Sequence, residues 1–210
     1  MRSIYIKSCL DCLACKILTT DQLADLFTQY ALIEVLIPKL KAFGGKALIS
    51  GNNLTAANDQ YTMAQIWVED GARGQLNILQ TGWADKSSGN WWFITRDNIQ
   101  VGYWPKELMT QLVNGVGIIK FGGFAVGTSE GPSPPMGNGN FPSDDYAKTA
   151  YFARVQYVEE DRTPRDLLDG MAEALADETG CYTINYYGYK NTNLGQFFTY
   201  GGPGGSYCGA

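Results

Sequence analysis

Gly89-Asn90-Trp91-Trp92-Phe93-Ile94-Thr95-Arg96-Asp97-Asn98-Ile99-Gln100-Val101-Gly102-Tyr103-Trp104-Pro105 reads as two strands and a tight hairpin, because aromatic and β-branched runs flank the polar triplet Arg96-Asp97-Asn98. Strand alternation sends Trp91 and Phe93 to one face and Trp92 and Ile94 to the other. A strand apolar on both faces is expected to be buried on both. Pro105 then suits the first turn of a helix over Lys106 to Asn114, in which Leu108 and Leu112 share a side and Gly115 makes the stop.

Around this hairpin, 210 residues with 45% apolar content suffice for one domain with a sizeable core. Twenty-five glycines and thirteen tyrosines lean it toward an all-β fold with many turns. The net charge of −5 comes without a basic patch, which argues against nucleic acid or an anionic membrane as the main partner. No apolar run is long enough to span a bilayer. The sequence contains no histidine, so catalytic arrangements built on imidazole, and imidazole metal ligands, are excluded. Hydrolysis would need two carboxylates, or a carboxylate beside an amide, close together with their proton affinities pushed apart.

Residues 1–43 read as an unassigned leader, separate from a domain over 44–210. Asp11 and Lys16 interrupt the apolar run near the start, which leaves no convincing signal peptide. Cys9, Cys12 and Cys15 are spaced like part of an iron–sulfur ligand run, but a fourth ligand at the right spacing is missing, so no cofactor is expected. Asp21 suits the cap of a helix in which Leu23, Leu26, Phe27 and Tyr30 share a face, ending before Pro38.

From Gly44 onward, strand signals repeat at short intervals. Lys46 to Ser50, Gln60 to Val68 and Gln75 to Trp83 read as strands, with a turn at Glu69-Asp70-Gly71. Asn53-Leu54-Thr55 is a glycosylation sequon. Ala150 to Val158 reads as a central strand. Thr163 to Asp177, rich in Leu, Ala and acids, reads as a short amphipathic helix capped by Thr163.

Along the chain run Gln65-Ile66-Trp67-Val68, Gly74-Gln75-Leu76-Asn77, Gly82-Trp83, Gly89-Asn90-Trp91-Trp92 and Val101-Gly102-Tyr103-Trp104-Pro105. Gly122-Gly123, the run from Pro135 to Pro142, Ala150-Tyr151-Phe152, Cys181-Tyr182 and Tyr200-Gly201-Gly202-Pro203-Gly204 follow. In this order, these motifs resemble those of the plant neprosin family. The resemblance implies an antiparallel β-sandwich of the glutamic-peptidase type with short helices. For active members it implies a secreted or vacuolar endopeptidase that cuts proline-containing peptides after proline at acid pH. It also implies a disulfide between Cys181 and Cys208.

Two departures stand out. The family's Glu-x-Gly-Trp element aligns with Gln80-Thr81-Gly82-Trp83, and the residue after its Trp-Gly-Gly element aligns with Phe124. Both catalytic glutamates implied by the resemblance are therefore replaced. Glutamine can still donate to an oxyanion, and related fungal glutamic peptidases pair a glutamine with a glutamate. A phenyl ring offers neither lone pair nor charge. The nearest acid downstream, Glu130, is six residues away, while Glu107 and Asp85 read as solvent-facing. Second, a block of strands that the family carries is absent between Trp83 and Ala84, so the sandwich is expected to be incomplete there.

Two functions follow: an inactive homologue of a glutamic endopeptidase, or a non-catalytic binding domain. In the second, Trp83, Trp92, Tyr103 and Trp104 form an aromatic cleft for a proline-rich peptide or a sugar face. Nothing in the residue pattern sets an oligomeric state.

Overall fold

The computed structural model describes residues 30–38, 41–57, 60–70, 77–80, 83–95, 99–127 and 131–208. Cys9, Cys12, Cys15, the Asp21 cap, the Arg96–Asn98 turn and Glu130 lie outside the described residues. The protein is all-β, and among the described residues its antiparallel strands form three sheets. The first has the order β11 (Glu173–Ala176), β1 (Tyr30–Ile37), β8 (Ile118–Val126), β3 (Tyr61–Asp70), β4 (Asn77–Gln80). The second has the order β10 (Pro164–Asp166), β9 (Ala150–Val158), β13 (Gly195–Gly201), β12 (Thr183–Asn191), and β2 (Gly45–Ile49) also pairs with β9. The third joins β5 (Trp83–Ala84), β6 (Trp91–Ile94) and β7 (Gln100–Trp104).

The core lies between the first two sheets. Ile33, Val35 and Ile37 on β1 and Ile119, Phe121 and Ala125 on β8 alternate onto one face and are fully buried. Phe152, Phe198 and Tyr200 answer them from the second sheet, with Phe152 and Phe198 stacked at 4.8 Å. Two adjacent glycines make the close packing possible on β8. A Cβ on Gly123 would fall 2.5 Å from Met136 Sδ and 2.8 Å from the Tyr200 ring, whereas one on Gly122 would fall 1.8 Å from the Ile33 carbonyl oxygen. One glycine thus admits the facing layer and the other the neighbouring strand. Cys181 and Cys208 form a disulfide that ties the start of the last hairpin to the chain's final turn.

Three expectations are corrected. Over residues 30–37 the chain is strand rather than helix, because Ile33, Val35 and Ile37 are β-branched at period two and pair along the whole of β8. This strand precedes the boundary expected at residue 44, yet it occupies the interior of the first sheet. The stretch Thr163 to Asp177 gives β10 and β11 rather than a helix, since Glu173–Ala176 finds the open edge of β1, and tertiary pairing overrides a modest helix propensity. Lys106 to Asn114 forms two 3-10 turns, Lys106–Leu108 and Thr110–Leu112, rather than one helix. That break turns both Met109 and Leu112 into the core and leaves Leu108 exposed. The expected strand Gln75 to Trp83 is described as two short ones, β4 and β5.

Candidate functional site

The positions implied by the family resemblance are set by register in the first sheet. Phe124 pairs with Met63 on β3 and Leu32 on β1, while Gln80 pairs with Trp67, which in turn pairs with Lys120. Partners in an antiparallel ladder share a face, so both positions belong to the side of the sheet turned away from the second sheet. They are not neighbours. Four residues along β8 and two strand spacings across separate them, roughly 16 Å between backbones at about 3.3 Å per residue and 4.8 Å per strand. Phe124 itself is partly buried.

The same face also holds a charged cluster, spread over β1, β8 and β3, that no sequence motif announced. Lys120 Nζ lies 3.5 Å from Glu34 Oε2 and 3.3 Å from Glu69 Oε1, which puts the two carboxylates at most about 6.8 Å apart. Glu34 and Glu69 are 6% and 7% exposed. Burial pushes the Glu69 carboxyl above its ordinary range, and Lys120 only partly offsets it. Burial raises Glu34 likewise, again opposed by Lys120 and helped by repulsion from Glu69. For Lys120 burial pulls downward, but the two carboxylates outweigh it and its pKa ends up raised. The cluster is a partly buried ammonium shared by two buried carboxylates, so negative charge is in excess when all three are ionised. It was hidden because Glu34 sat in an expected helix and Glu69 in an expected turn; the signal for Glu69 was its place two residues beyond Trp67 in an alternating strand.

The aromatic hairpin builds a second candidate site. Trp91 pairs with Trp104 and is buried, while Trp92 pairs with Tyr103 on the opposite face. That face is open, which corrects the expectation of burial on both sides: Tyr103 is 46% exposed, and its ring meets the Trp92 ring at 4.8 Å and 37°. Trp83 is opposite Trp92 by register. Of the expected aromatic cleft, Trp92 and Tyr103 thus come together, and Trp104 turns to the core.

A cavity of about 510 Å³ lies beside these rings, lined also by Asp85, Ser87, Ser88, Asn90, Ile94 and Gln100. Asp85 Oδ2 accepts from Ser87 Oγ, Ser88 N and Ser88 Oγ, each at 2.7 Å. These bonds, the backbone N–H of Ser88 first, hold the Asp85 carboxyl down to about 2. The loop is therefore a fixed anionic turn whose carboxylate stays partly exposed to solvent. Asn90 Oδ1 accepts from the Lys106 backbone N–H at 3.1 Å, which locks its amide.

The remaining expected residues are scattered. Asn53 of the sequon is exposed in the segment between β2 and β3, and Glu107 is exposed on the first 3-10 turn. Cys181 and Cys208 are bonded to each other, far in sequence from either site. No group of three or more potential metal ligands occurs among the described residues, and no described helix is long and apolar enough to cross a membrane.

A comparison with family models matches the one described as Neprosin to residues 83–203. The matched segment contains the aromatic hairpin, Phe124 and most of the second sheet; it begins three residues after Gln80.

Proposed function

This chain belongs to the neprosin family, and from that premise we propose that it is a secreted or vacuolar member that no longer cleaves peptide bonds. The observation that carries the reading is the state of the outer face of the first sheet. The position after Gly122-Gly123 holds Phe124, which can neither take a proton from water nor carry charge. Gln80 lies in the row of Lys120 rather than beside Phe124, so the two positions do not form a pair with each other. The two carboxylates that do lie on this face, Glu34 and Glu69, are buried and shared by one lysine, which withdraws them from water. Loss of a general base typically costs about two to four orders of magnitude in rate. Residence in an oxidising compartment is supported by the Cys181–Cys208 disulfide and by the exposed Asn53 sequon.

The test is cleavage of a fluorogenic proline-containing peptide at pH 3 to 7 by the purified chain, beside the double variant Gln80→Glu, Phe124→Glu. Both are expected to be silent, the variant because its new carboxylates would be roughly 16 Å apart along the sheet. Turnover by the unaltered chain ends this reading, and Glu130 is then the first residue to replace.

A second reading, a binding domain, is supported by one specific feature: the half-exposed Trp92–Tyr103 pair beside a polar cavity.

A further inference from the structure

We infer that the cavity beside Trp92 and Tyr103 is a subsite for a neutral pyranose sugar. The inference deepens the binding reading by naming its ligand class, and it stands apart from the loss of cleavage, because the cavity belongs to the third sheet and the family's reactive positions to the first.

Two kinds of chemistry meet in this cavity. The inclined Trp92 and Tyr103 rings offer an apolar platform of the type that the C–H face of a pyranose covers. Around it sit short polar side chains whose hydrogen-bonding directions are already fixed. The hydroxyls of Ser87 and Ser88 donate their protons to Asp85 Oδ2; Ser87 is left presenting oxygen lone pairs, while Ser88 Oγ already accepts from the Asn90 backbone N–H at 3.2 Å and keeps one. Asp85 itself can only accept. The Asn90 oxygen takes the Lys106 N–H, which leaves its NH₂ as the group free to donate. Gln100, exposed at the end of β7, adds a second amide. Acceptors and donors lining one site suit a row of sugar hydroxyls, each of which gives one proton and takes one bond.

Other ligand chemistries fit less well. An oligoproline segment has no backbone N–H, so it brings nothing for Asp85, Ser87 and Ser88 to accept. An acidic sugar or a phosphate would face a carboxylate held ionised by its own loop. A cation would find that carboxylate already holding three donors, with the Arg162 guanidinium also attracted to it.

The experiment titrates the full chain with cellotriose, maltotriose, trigalacturonate and decaproline, read by tryptophan fluorescence and calorimetry. At least one neutral trisaccharide is expected to saturate with a Kd of about 0.1 to 5 mM. The acidic sugar and decaproline are expected to bind at least about tenfold more weakly. Tyr103→Ala and Gln100→Ala, both at exposed positions, should weaken the sugar by about three- to tenfold while thermal unfolding stays within a few degrees of the unaltered chain. Trp92→Ala should abolish binding; because it also removes hairpin packing, the two exposed variants are the deciding ones. The inference is overturned if neither neutral sugar saturates by about 20 mM, if decaproline binds as well as the better sugar, or if Tyr103→Ala binds unchanged. None of these results alters the outcome of the peptide-cleavage test.

Discussion

The two faces of the first sheet are made by the same strands and handle burial in opposite ways. Inward, Ile33, Val35, Ile119 and Phe121 are fully buried apolar side chains facing the second sheet. Outward, one residue away along each strand, Glu34 and Glu69 bury two carboxylates in contact with the partly buried Lys120. An apolar face is stabilised by contact alone and is indifferent to pH. A face that buries two carboxylates on one lysine is held only while the charges balance, so the outer face should dominate the pH dependence of the whole domain.

The largest expected effect is therefore on the outer face. Lys120→Met strands two buried carboxylates and should destabilise the chain by about 3 to 5 kcal/mol at pH 7, with a visibly smaller loss at pH 4, where the carboxyls protonate. Urea unfolding at the two pH values measures this; an equal loss at both would remove the contrast between the faces. Breaking the disulfide with Cys181→Ser and Cys208→Ser leaves the charged cluster untouched and should cost about 3 kcal/mol, independent of pH between 4 and 7, provided the serine chain is compared with the oxidised protein. On the inner face Ile119→Val should cost about 1 kcal/mol, again alike at pH 4 and 7. The smallest effect is expected from Glu34→Gln, which keeps the shape and leaves Glu69 and Lys120 as a neutral pair. Its stability at pH 7 should change by less than about 1 kcal/mol, and its pH dependence should flatten.

The sign of that pH dependence follows from the direction of the shifts. Glu34 and Glu69 have folded-state pKa values raised above the ordinary 4.5, so the folded chain binds protons more readily than the unfolded one. Their contribution is fully present below the ordinary value and is lost as pH rises through the raised ones. The melting temperature should accordingly rise as pH falls from 7 toward about 4.5. Asp85 acts in the other sense: with its pKa lowered to about 2, its contribution is lost only as pH falls below the ordinary 3.8. A melting temperature that falls steadily between pH 7 and 5 would contradict the cluster's role.

The aromatic hairpin shows the same contrast from another direction. Its strand pairing was legible from Trp91-Trp92-Phe93-Ile94 and Val101-Gly102-Tyr103-Trp104, because alternation and β propensity are local properties. Which of its faces stays open was not legible. Trp91 and Trp92 are chemically identical, and only the layer lying against Trp91 distinguishes them. Helix-like composition misled over Tyr30–Ile37 and Glu173–Ala176 for a related reason. Both segments add to a sheet whose other strands lie far away in sequence, and the pairing outweighs what either prefers alone.

Residue identity and short-range pattern were enough for the all-β class, for the family, and for the absence of a glutamate at positions 80 and 124 and of histidine anywhere. They were not enough for the two sites. It took the folded chain to bring Glu34, Lys120 and Glu69 into contact and to set Asp85 and Asn90 beside the Trp92 and Tyr103 rings. Strand register joins residues dozens of positions apart, and no local pattern encodes which partner a strand will find.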